Sequence, residues 1–202
     1  MKMMKYEIIF PMLKITQLAH LLVRTCFAEP SSDSPLFAID ATVGNGYDTL
    51  FLAECVGENG MVFGFDIQDM TAVRSQLAKR GLAKRVTLFQ TGHETMLSHI
   101  ADSADAGASA IIFNLGYLPN GDKSLVTTRQ TTLAALSQSL MLLKRGGILS
   151  VACYSGHPGG EEETNAVLAW AKALPHEEYS VLHHHLLNRQ RTSPELVVVQ
   201  KI

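Results

Sequence analysis

Short apolar runs alternate along this chain with stretches of helical spacing. The runs at 36–39, 61–65, 86–89, 109–114 and 148–154 are rich in Ile, Val, Leu, Phe and Ala, and turn or charged residues bound most of them. The unbroken A-I-I-F at 110–113 is the pattern of a parallel strand buried on both faces. Between the runs, spacing near 3.6 predicts helices at 48–56, 69–80, a short one ending near 100, 129–143 and 161–174. Leu133, Leu136, Leu140 and Leu143 form one apolar stripe. Asp69 and Gly81 read as the start and stop of one helix, and Lys144-Arg145-Gly146-Gly147 as the end of another. Residues 1–15 read as an arm leading to a helix capped by Thr16, with Leu18, Leu21, Leu22 and Thr25 on one face. The polar, Pro-containing segment 28–35 reads as a linker. Two further runs, 179–187 and 196–201, close the pattern.

The order is therefore a helix, five βα units and a pair of strands. Repeated βα units require right-handed crossovers and a parallel sheet. The final pair is joined by too short a loop for a crossover and must be antiparallel. The expectation is an α/β domain spanning 1–202, with a seven-stranded, mostly parallel sheet, one antiparallel strand and helices on both faces.

In such sheets ligands bind beyond the carboxyl ends of the strands. The most informative of these ends is Asp40-Ala41-Thr42-Val43-Gly44-Asn45-Gly46, followed by a helix and a second strand ending in Asp66. Glycines allow close backbone approach to a bound group. An acid closing the second strand is placed to accept ribose hydroxyls. No glycine follows three residues after Gly46, which argues against NAD or FAD, and Asp40 would repel a pyrophosphate. A cationic sulfonium bearing an ammonium, S-adenosylmethionine, suits this acidic loop. A purely structural turn with helix-capping acids is the alternative.

Composition narrows the setting. Net charge is −2, charged residues make up 18% and hydrophobic residues 47%, so the chain is globular and carries no global field for nucleic acid. Three widely spaced cysteines, Cys26, Cys55 and Cys153, imply a reducing compartment. Lys5, Glu7, Pro11 and Lys14 break the amino-terminal apolar stretch, and no run reaches membrane-spanning length. A cytoplasmic enzyme with no membrane or DNA partner is expected. His183-His184-His185 offers only two side chains on one strand face, too few for zinc. Lys79, Arg80, Lys84 and Arg85 form one basic cluster, and Arg189 with Arg191 a second that better suits RNA contact.

After the 109–114 run comes Asn114-Leu115-Gly116-Tyr117-Leu118-Pro119-Asn120-Gly121-Asp122-Lys123. An Asn followed three positions on by an aromatic resembles the loop with which amino-group methyltransferases hold a target amine. Together with the 40–46 loop, Phe65-Asp66-Ile67-Gln68 and His157-Pro158-Gly159-Gly160, it makes the whole chain resemble one family. That family comprises Rossmann-like class I methyltransferases long labelled putative rRNA methylases, some of which are tRNA 5-aminomethyl-2-thiouridine methyltransferases. The resemblance implies S-adenosylmethionine as cofactor and tRNA, at the wobble uridine, as substrate; a homodimer is also compatible with it. It implies cofactor contacts from Asp40, Thr42, Gly44, Asn45, Gly46, Asp66, Gln68, His93 and Asn114. Asn114 and Tyr117 would orient the amine, with Asp122 and His157 as candidate proton acceptors. An rRNA base, a small-molecule amine or a non-catalytic RNA-binding role remain alternatives.

Overall fold

The structure, a computed structural model, describes residues 13–27, 35–100, 107–116, 125–188 and 193–202. Its elements in chain order are α1 (Ile15–Arg24), β1 (Phe37–Asp40), α2 (Tyr47–Cys55), β2 (Met61–Phe65), α3 (Thr71–Lys79), β3 (Val86–Phe89), α4 (Met96–Ile100), β4 (Ala108–Asn114), α5 (Arg129–Leu142), β5 (Leu143–Cys153), α6 (Gly160–Lys172), β6 (Tyr179–His184) and β7 (Glu195–Lys201). The sheet order is β3-β2-β1-β4-β5-β7-β6. β7 lies antiparallel between β5 and β6, and the β1–β2, β1–β4, β2–β3 and β4–β5 pairs are parallel.

Alternation along each strand divides the core in two. Phe37, Ile39, Phe63, Phe65, Ile111, Phe113, Leu149 and Val151 face α4, α5 and α6. Ala38, Val62, Ala110, Ile112, Ile148 and Ala152 face α1, α2 and α3. This explains the unbroken apolar runs, since every strand residue of β1 is buried.

Several boundaries differ from expectation. α1 begins at Ile15 and buries Ala19 and Val23, with Ile15, Leu18 and Leu22 packed beside them, while Leu21 is 56% exposed. A helix crossing a sheet buries the i, i+4 row that meets it, and here that row contains the small residue. Lys144-Arg145-Gly146-Gly147 does not cap a helix. Leu143 is already extended, and β5 runs straight through this segment. The pairing jumps from Ala108↔Leu143 to Ala110↔Ile148, so the charged pair bulges out of register. α5 does begin at Arg129 as the pattern predicts, its start closed by a capping box between Thr128 and Thr131. β6 stops at His184, short of the expected 187. His183 and His185 both face Glu195, at 2.7 and 3.5 Å. Among the described residues no group of three His, Cys, Asp or Glu side chains could hold a metal, and no helix is long and apolar enough to cross a membrane.

Candidate active site

The loops at the carboxyl ends of β1, β2, β3, β4 and β5 surround a cleft of about 720 Å³. Asp66, just past β2, sets its shape. Its Oδ2 accepts the Gly44 amide proton at 2.7 Å and its Oδ1 that of Gln68 at 2.9 Å. One carboxylate thereby ties together the loops after β1 and β2. Gly44 and Gly46 have φ of 50° and 81°, in the left-handed region that glycine tolerates. Thr42 makes a second tie, its hydroxyl accepting the Asn114 amide proton at 2.7 Å.

Of the residues singled out in the sequence, Thr42, Gly44, Asn45, Asp66, Gln68, His93, Asn114 and His157 all line this cleft. Gly46 turns away toward α3, where a Cβ would lie 2.7 Å from Val73 Cγ1. Asp40 stands behind the wall rather than on it, fully buried. Its oxygens accept from the Thr49 hydroxyl at 2.5 Å and the Thr42 amide at 3.2 Å. Burial first, then the Asp48 charge, raise the Asp40 carboxyl to about 7, against the two hydrogen bonds that lower it; Asp66 adds a smaller upward push. Tyr117 and Asp122 lie outside the described residues, as do Arg189 and Arg191. In the other basic cluster, Arg85 donates to the Ala53 carbonyl at 3.2 Å and Arg80 pairs with Glu54 at 3.4 Å.

His93 sits at the cleft floor, edge-on to Phe113 at 5.4 Å. Its Nδ1 pairs with the Ala41 carbonyl at 3.2 Å, which fixes the proton on that nitrogen. Burial holds its pKa below the ordinary histidine value. Its Nε2 is buried without a hydrogen-bond partner among the described residues, an acceptor ready for a ligand donor. His157 donates from Nδ1 to the Pro158 carbonyl at 3.0 Å. Gly160 explains the paired glycines after it: a Cβ there would lie 2.6 Å from the Tyr154 carbonyl oxygen and 2.8 Å from His157 Nε2.

Sequence pattern alone does not reveal Asp48, which reads only as a helix start. This side chain lines the cleft. One oxygen accepts from Asn114 Nδ2 at 2.5 Å, and the other meets Nε2 of His20, from α1. A third acid close behind the glycine turn was the available signal. Glu163 was missed too: it is buried, and accepts from the hydroxyls of Thr127 at 2.9 Å and Thr132 at 2.6 Å. Cys153 offers no nucleophile here, because burial, then the charges of Glu163 and Glu195, push its thiol up to about 12.

The acidic loop, the ribose-type carboxylate and the orphaned imidazole nitrogen fit an adenosine-containing cation. Comparison with known proteins agrees. The family model described as Putative rRNA methylase matches residues 62–200. The chain belongs to this family. The Arabidopsis thaliana chloroplastic tRNA (mnm(5)s(2)U34)-methyltransferase is 35% identical over 198 residues, covering 93% of this chain and 69% of that protein. The methylase is also similar to a solved putative rRNA-methylase from Clostridium thermocellum, at 38% identity and TM-score 0.85, covering 95% of this chain and all of that one. A putative methyltransferase from Streptococcus mutans, solved in complex with SAH, matches at 33% identity and TM-score 0.79, covering 95% of this chain and 100% of that one. The methylase is thus an S-adenosylmethionine-dependent methyltransferase of the class I fold, as its motifs imply.

Proposed function

We infer that this methylase transfers a methyl group to a primary amine of modified tRNA, the 5-aminomethyl group of wobble 2-thiouridine. The observation that carries the reading is the state of Asn114. Its amide nitrogen is committed to Asp48, so its carbonyl oxygen is the atom left to accept a hydrogen bond from an amine. Asp48 and Asp66 line the same cleft, with Asp40 behind it, and this clustering of acids favours cationic ligands. The named activity of the Arabidopsis relative supports the same substrate.

S-adenosylmethionine supplies an electrophilic methyl group on a sulfonium. Asp66 would accept from the ribose hydroxyls, and the loop through Gly44 and Asn45 would admit the methionine end. Gln68 and the open His93 Nε2 would border the nucleoside. Asn114, with Tyr117, would orient the target amine, and holding its lone pair in line is the main contribution to rate. Asp122 and His157 are candidate acceptors of the departing proton.

The test is mass spectrometry of wobble nucleosides after incubating tRNA that lacks the methyl group with protein and S-adenosylmethionine. A gain of one methyl on the aminomethyl nucleoside is the expected result. Methyl incorporation into rRNA alone, or into small amines alone, would replace this reading.

A further inference from the structure

Resting on that reading, we propose that Asp48, in place of Asp122 and His157, is the group that takes the proton from the substrate ammonium, and that His20 of α1 positions it. The geometry is specific. Asp48 lines the cleft in the first turn of α2, and its two oxygens have different partners. One accepts from Asn114 Nδ2 at 2.5 Å, which places the carboxylate beside the atom that would orient the amine. The other is bonded to His20 Nε2. His20 is itself held by stacking on Phe51, with ring centroids 3.8 Å apart and planes within 4°. An imidazole fixed in this way by one turn of α2 keeps the carboxylate from rotating.

The chemistry needs such a group. A free alkylamine has a pKa of about 10.4 and is protonated at pH 7, so its lone pair is unavailable. In the proposed step the ammonium gives one N–H proton to Asp48, which leaves a neutral amine. Its lone pair forms the new N–C bond as the C–S bond breaks and that electron pair stays on sulfur. The product is a methylated ammonium and a neutral thioether, and the proton on Asp48 passes to water at the cleft mouth. The charged or titratable groups facing Asp48 are His20 from α1, Asp40 from β1 and Tyr154 from the end of β5; Asp66 faces Asp40 from β2.

The experiment compares wild type, Asp48→Asn and His20→Asn for three readouts. These are kcat against pH from 6.5 to 9.5 on aminomethyl-bearing tRNA, S-adenosylmethionine affinity by calorimetry, and thermal melting. Asp48→Asn is expected to lose about 100-fold in kcat at pH 7, the lower end of general-base contributions. The deficit should shrink to within about tenfold by pH 9.5, as solvent deprotonates the amine directly. Cofactor affinity should stay within about threefold. His20→Asn should lose about tenfold in kcat with cofactor affinity unchanged, and it carries the test if Asp48→Asn does not fold. A deficit equal at every pH would overturn the proposal. So would a parallel collapse of cofactor affinity, which would make Asp48 a ligand of the cofactor's ammonium. A wild-type protein inert toward the amine but active on another acceptor would instead sink the substrate assignment, a result visible before any variant is made.

Discussion

Thr127 donates its hydroxyl proton to Glu163 Oε2 at 2.9 Å and accepts the Gly116 amide proton at 2.7 Å. The Thr127 amide returns to the Gly116 carbonyl at 3.0 Å. A buried carboxylate on α6 therefore clamps the neck of the loop that follows Asn114. Removing it in Glu163→Ala strips the charged partner from two hydroxyls and opens a void. The expected cost is about 2–4 kcal/mol, read as a drop in thermal midpoint. Glu163→Gln should recover part of it. Cofactor affinity should change less than kcat in both, because the clamp holds the loop proposed to face the substrate.

Asp66 makes a different kind of join. Its loss in Asp66→Ala releases the amides of Gly44 and Gln68 together and removes the acceptor proposed for the ribose. Calorimetry should show S-adenosylmethionine affinity lowered by at least 30-fold, equivalent to about 2 kcal/mol. Unchanged affinity would remove Asp66 from the cofactor's ligands.

Asp40 gives the fold a pH signature. Its carboxyl rises from 3.8 to about 7 on folding, so the native state holds a proton the unfolded state has lost. The sign follows from linkage: stability from this group is complete below pH 3.8 and is lost as pH climbs through about 7. Urea unfolding between pH 5 and 8 should show stability declining with pH, and Asp40→Asn should flatten that decline. A cation bound in the cleft favours the ionised form, so cofactor binding near pH 7 should release protons. Calorimetry in buffers of different ionisation enthalpy would count them.

Gly160 packs so closely under the end of β5 that a methyl group has no room. Gly160→Ala should cost about 1–3 kcal/mol through overpacking and push the His157 ring from its place. Melting reports the first effect. A fall in kcat beyond that of a distant, equally destabilised variant reports the second.

The inner strands β1, β2 and β4 were readable because burial on both faces writes them as unbroken apolar runs, and β3 and α5 begin where pattern alone puts them. Asp66 and the glycine turn were readable because their chemistry depends on position next to a strand end. Other features were hidden for physical reasons. Lys144 and Gly146 carry the signals of a helix end, yet Leu143 turns extended before they can act. Leu21 matches helical spacing, but the choice between neighbouring rows depends on the height of the sheet beneath. Asp48 and Glu163 both look like first-turn acids attracted by a helix dipole. Their real partners lie 28 and 66 residues away for Asp48, and 31 and 36 for Glu163, distances at which no local pattern speaks.

The placement of β7 between β5 and β6 makes one strand the join for two. β6 precedes in the chain the strand that attaches it to the sheet, and among the described residues it pairs with β7 alone. Until Glu195–Lys201 pairs, Leu182 and Val181 have no sheet neighbour, and the β5 edge lies open along Ile148–Cys153. A folding chain in which β7 has not yet docked therefore carries two unpaired edges at once, the condition in which strands from different molecules mispair.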